Sequence, residues 1–163
     1  IGSIAKLIAK HTESDPETAF TCGMMHNIGE LLIHMAKPEQ SVKIDNLVKE
    51  GANRADLQEN QFSYNYADVS SELARRWNFP KEIVQAIKQQ VKPNDAEDYS
   101  PYSSIIYLAN YLNTAFKEEK EAETVLAEFP ADIAKPLNIN LVSFFEALVE
   151  LTQAEDDIES IIS

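Results

Sequence analysis

The apolar stripes of this chain run at steps of three and four positions, without sustained alternation at two. That period gathers them on one side of an α-helix, whereas a half-buried strand needs strict alternation. The turn chemistry agrees. Only four glycines occur, and no Asn-Gly or Asp-Gly pair marks a hairpin. The chain is therefore read as all-α, a bundle of about eight to ten helices. No Pro/Gly/Ser linker and no internal repeat interrupts it, so 1–163 is expected to form one domain.

Local signals place the helices. Ile1, Ile4, Ala5 and Ile8 form a first stripe that looks cut off at its start, as in a piece of a longer protein. Asp15-Pro16-Glu17 reads as a helix entrance, with Asp as N-cap, Pro at the first helical position and an acid in the first turn. One long helix is expected from there through Phe20, Met24, Ile28, Leu31 and Met35 to Lys37-Pro38. Its apolar residues cover much of its circumference, which predicts a central, buried position. Gly23 and Gly29 inside it suggest close packing or a bend.

Further helices are expected over about 38–50, closed by Gly51, and over about 54–60. Tyr66, Val69, Leu73 and Trp77 make the next stripe, with Trp77 expected in the core. Pro80 opens a helix with Ile83, Ile87 and Val91, and 92–99 reads as a polar loop. Ser100-Pro101 reads as a second N-cap pair, leading into Ile105, Leu108, Leu112 and Phe116. An acidic segment, Lys117 to Glu128, precedes the last stripe of Leu141, Phe144, Phe145, Leu148 and Leu151.

Charge narrows the function classes. The chain has 27 acidic and 14 basic residues, a net charge of −13. That balance argues against non-specific nucleic-acid binding and against docking on anionic lipid. Residues 101–163 carry twelve acids against three bases, in runs such as Lys117 to Glu128 and Glu155 to Glu159 that read as solvated faces. No apolar run reaches the ~18 residues of a membrane span. The single Cys22 fits a reducing, cytoplasmic setting and reads as a small core residue. Arg75-Arg76 reads as a solvated helix face.

His26-Asn27-Ile28-Gly29 is the densest chemical feature. From the residues alone three readings stand beside each other. His26 is a hydrogen-bonded core residue, or a ligand in a metal site with Glu30 and His34, or what remains of a larger motif. Positions i, i+4 and i+8 drift by about 80° on a straight helix, which disfavours closing three ligands on one ion.

The stretch A-F-T-C-G-M-M-H-N-I-G-E-L-L-I resembles the central helix of HD-superfamily domains, commonly G-L-L-H-D-I-G-K. Asn65 to Gln90 resembles a second block of the HDOD subfamily, with the W-x-x-P spacing at Trp77 and Pro80 and the A-I pair at Ala86 and Ile87. The run Ile105 to Asn110 is similar to a third, apolar stretch ending in Ala-Asp. The likeness covers about Ser3 to Phe116 and implies an HD-like helical core, in complete members preceded by a further helical region.

In catalytic members, the resemblance implies, His and Asp side chains hold metal ions that activate water against a phosphoester. Read position by position, this chain departs from that set. Gly2 falls where an early His is expected, and Asn27 replaces the motif Asp. Tyr66 replaces a His, Gln89 and Gln90 replace a His pair, and Asn110 replaces a late Asp. Only His26 is kept. Without a carboxylate at these positions a divalent cation would be dehydrated for little return. The resemblance therefore implies no catalytic residue, no metal and no cofactor. The set His26, Asn27, Tyr66, Gln90 and Asn110 is expected to be a vestigial pocket, satisfied as an interior hydrogen-bonded network or open to a small ligand such as a nucleotide. The function implied is that of a bacterial signal-transduction module working through protein partners and possible self-association, with a phosphohydrolase on a shifted site and a ligand sensor as the alternatives.

Overall fold

The computed structural model describes residues 1–150. Among them ten α-helices run in the order α1 (Gly2–Lys10), α2 (Pro16–Met25), α3 (Ile28–Ala36), α4 (Pro38–Lys49), α5 (Arg54–Phe62), α6 (Tyr66–Arg76), α7 (Lys81–Gln89), α8 (Pro101–Lys117), α9 (Ala122–Ala127) and α10 (Ala131–Ala134). A further helical segment, α11, covers 141–150. The fold is all-α, as the period predicts. Leu151 and the acidic run Glu155 to Glu159 lie outside the described residues.

The expected starts hold where their chemistry is local. Asp15 accepts from the Thr18 amide at 2.8 Å, with Pro16 as the first helical residue. A start that the sequence pattern did not mark is closed in the same way, by the reciprocal capping box of Asn65 and Asp68 on α6. Ser100 stands at the N-cap of α8, but its side chain makes no capping bond; its own amide donates to Gln89 Oε1 at 3.0 Å. Gly51 ends α4's excursion with φ of 100°, a left-handed conformation that glycine adopts without steric cost.

Two apolar clusters fill the interior. The first joins Ile4 and Ile8 of α1 to Leu108 and Leu112 of α8 and Phe144 of α11. The second joins Cys22 of α2, Ala74 of α6, Ile83 and Ile87 of α7, and Ile106 of α8. Consecutive residues of α8 thus serve both clusters, one on each side. α1 lies against α2 so closely that a Cβ on Gly23 would sit 2.9 Å from the Cα of Gly2.

Three expectations are corrected. The long helix through Phe20 and Met35 is two helices, α2 and α3, broken at His26 and Asn27. Asn27 leaves helical geometry at φ −121° and ψ 15°. The second helix is drawn to α6: Gly29 donates its amide to Ser70 Oγ at 2.8 Å, where any side chain would strike the α6 backbone. Nor is this pair buried all round, since Met24, Leu31 and Met35 are exposed. Trp77 is also exposed, at 54%. It is the C-cap residue of α6, where the helix has already stopped presenting its apolar side to the core.

Candidate functional site

The break between α2 and α3 puts His26 and Asn27 at the floor of a cleft of about 280 Å³, which Tyr66 and Asn110 also line. A second cleft, of about 450 Å³, shares Arg54, Tyr66, Asn110 and Thr114 with it and adds Gln90. The fold therefore gathers all five candidate residues along one depression. It does not join them into the expected interior network. Among the described residues no hydrogen bond links any two of the five side chains, and Asn27 and Asn110 are exposed.

The reason lies in the backbone. His26 is buried, and its Nδ1 lies 2.7 Å from the carbonyl of Gly23. A carbonyl only accepts, so Nδ1 carries the proton and Nε2 the lone pair. Burial holds the imidazole below its ordinary 6.5, and the Gly23 bond only partly opposes this, so the ring is neutral at pH 7. Gln90, also buried, donates its amide to the carbonyls of His26 at 2.7 Å and Ile87 at 2.9 Å. It ties the end of α7 to the end of α2. Burial pushes the Tyr66 hydroxyl up to about 12, which keeps its proton on.

Beside this set lies an ionic cluster. His34 Nε2 donates to Asp45 Oδ2 at 3.0 Å, and His34 Nδ1 stands 3.1 Å from Glu30 Oε1. Arg54 Nη1 contacts Glu30 at 2.5 Å and Asp45 at 2.7 Å. Gln58 donates to the other Glu30 oxygen at 2.6 Å, and its own carbonyl accepts the Tyr66 amide at 2.8 Å. The hydrogen bond to Asp45 leads the causes that raise His34 above its ordinary 6.5, and the same bond leads those that hold Asp45 below 3.8.

The fit of a metal can be tested on these donors. Glu30, His34 and Asp45 offer ligand atoms within 4.8 Å of one another. The Arg54 guanidinium, however, already reaches both carboxylates and supplies the positive charge there. The grouping His26, Glu30 and His34 does not come together in this way. The positions matching the HD ligand set hold one imidazole, neutral amides and a protonated phenol. These residues do not fit a catalytic divalent ion.

Sequence reasoning missed Arg54, Gln58, Asp45 and Ser70. One signal existed for the first. Arg54 opens α5, where a cation opposes the positive end of the helix unless a carboxylate compensates it. Asp45 and Gln58 carry no such mark, because they meet Glu30 and His34 only through the fold. Cys22 is in the core as expected, its thiol pushed up to about 12 by burial. Arg75 and Arg76 are exposed and share the carboxylate of Glu72, with Arg75 the first cause that lowers it to about 2.

Known proteins place this architecture. A protein from Shewanella amazonensis SB2B, provisionally named a phosphohydrolase, superposes with a TM-score of 0.79 at 29% identity, over 92% of this chain and 56% of its own. A provisionally named signal transduction protein from Marinobacter aquaeolei VT8 has the same fold at a TM-score of 0.78 and 17% identity, over 98% of this chain and 36% of its own. An HDOD domain protein of unknown function from Geobacter sulfurreducens follows at 0.69 and 22%, over 95% of this chain and 58% of its own. In sequence, an uncharacterized protein of Treponema pallidum (strain Nichols) is 29% identical over 94 residues, 56% of this chain and 18% of that protein. The chain thus spans about a fifth of that relative and little more than half of the Shewanella protein. The HDOD domain family matches residues 1–93, more than half of the length, and the chain belongs to the HDOD domain family.

Proposed function

We propose that this chain is a non-catalytic regulatory module of the signal-transduction kind, acting through contacts with other proteins. The observation that carries the reading is the donor set around His26. Of the positions matching the HD ligand set only His26 is kept, and the adjacent carboxylates are engaged by Arg54. A phosphoester hydrolase of this frame needs carboxylates free to face a cation. Here the charge is compensated within the protein.

The Shewanella relative's provisional name supports a competing reading, a metal-dependent phosphohydrolase. One experiment separates the two. Purified protein is analysed for bound metal by mass spectrometry and assayed against phosphodiester and nucleotide substrates with added Mn, Fe, Ni or Zn. The regulatory reading expects substoichiometric metal and no turnover above the no-enzyme control. Stoichiometric metal with metal-dependent turnover, lost in His26→Ala, would establish the hydrolase instead.

A further inference from the structure

The protein is acidic overall, yet one face is not. From Glu72 to Lys92 the sequence holds five basic residues against two acidic ones. After Lys92 it holds three basic against fifteen acidic. The first stretch is the end of α6, the turn and α7, with Arg75, Arg76, Lys81 and Lys88 all exposed. Out of this basic face projects Trp77.

The backbone at Trp77 is held firmly. Its amide donates to Leu73 at 3.0 Å, and the Phe79 amide donates to Ala74 at 3.0 Å. Between them Asn78 takes φ of 58°, and Pro80 follows. The backbone that presents the indole is thus fixed, which leaves only the side-chain torsions to order on binding. Glu72 occupies part of each guanidinium, but the trio keeps one net positive charge and unused N–H groups. An exposed Trp on a fixed turn, flanked by Arg, is the composition of an interface centre.

The complementary surface is on the same chain. Lys117 to Glu128 carries five glutamates against two lysines, and within it Leu126 is 54% exposed. It offers negative charge around one aliphatic anchor. We infer that the Trp77 face of one molecule docks on the acidic segment around α9 of a second copy, head to tail. The net charge of −13 repels a second copy at long range, so the contact acts at short range and shows at high protein concentration. This claim is independent of whether the cleft binds metal.

Trp77 is the sole tryptophan, so its emission reports the contact directly. Sedimentation velocity and Trp emission are followed as the protein is concentrated. The expected result is growing assemblies together with a blue shift of emission. Arg75→Gln with Arg76→Gln weakens association by roughly tenfold or more, as does Glu119→Gln with Glu121→Gln. All four positions are exposed, so folding is not at stake. Trp77→Ala gives a second, uncharged test of the same face. Mixing the two charge variants restores one competent contact only, and therefore yields a discrete heterodimer that grows no further. A monomer at every concentration overturns the inference. So does a mixture that grows past the dimer, or assemblies that none of these variants affects. An emission shift produced by added poly-glutamate or duplex DNA, but not by the protein itself, assigns the face to a foreign partner and overturns it equally.

Discussion

His34 ties together two carboxylates that the sequence keeps eleven and four residues away, Asp45 of α4 and Glu30 of α3. With Arg54 it makes a four-membered ionic cluster whose balance depends on one proton. The folded His34 titrates above its ordinary 6.5, chiefly through the Asp45 bond. Its contribution to stability is therefore complete below 6.5 and is lost as pH rises through the raised folded value. Asp45 titrates below its ordinary 3.8, so its contribution is present above 3.8 and is lost as pH falls through the lowered value. Buried His26 works in the opposite sense to His34, so the wild-type profile mixes the two. The difference between wild type and His34→Gln isolates the pair. We expect the melting-temperature gap to be larger near about pH 5.5 than near about pH 8.5. A gap that does not vary with pH would count against the pairing. His34 was visible in the sequence as a candidate ligand, and Asp45 was not. A partner contributed by another helix leaves no trace in local spacing.

At the scale of the helices, the joint between α3 and α6 decides the site. Gly29 approaches α6 until a methyl group would stand 2.6 Å from the Ser70 amide, and closer still to the Tyr66 carbonyl. Backbone cannot yield as a flexible side chain can. Gly29→Ala is expected to cost about 2–3 kcal/mol or more in urea denaturation, by the usual penalty of overpacking. If the variant is as stable as wild type, the close approach is not what holds α3. The same joint explains what periodicity could not show. His26-Asn27-Ile28 contains no Pro, and the glycine after it reads equally as close packing or as a bend within one helix. The break follows from α3 being pulled onto α6, a tertiary demand. By contrast, the N-cap at Asp15 was legible because it is complete within four residues. Trp77 misled for a related reason. A four-residue step marks one side of a helix only while the helix continues, and here it ends.

For the molecule as a whole, α8 is the shared beam. Leu112 belongs to one apolar cluster and Ile106 to the other, although both lie on the same seventeen-residue helix. Neither cluster can open without disturbing the face α8 turns to the second. We expect Leu112→Ala in the first cluster and Ile87→Ala in the second each to cost about 2–5 kcal/mol. Both should shift a single transition, seen alike by far-UV circular dichroism and by tyrosine fluorescence. Two separated transitions in Ile87→Ala would mean that the clusters melt apart. All-α class and most helix spans were readable from the sequence, because they depend on pattern summed over many residues. The cleft was readable as a set of five residues but not as a geometry, since Gln90 spends its amide on the backbone of His26.

The cut between α2 and α3 has an electrical consequence. A continuous helix has its poles far away at its ends, but here the C-terminal end of α2 meets the N-terminal start of α3 at His26 and Asn27. The roughly half-unit negative pole of one stands beside the roughly half-unit positive pole of the other. Their fields largely cancel over the cleft floor. The backbone there attracts neither a phosphate nor a cation, and any preference for charge has to come from the side chains around it.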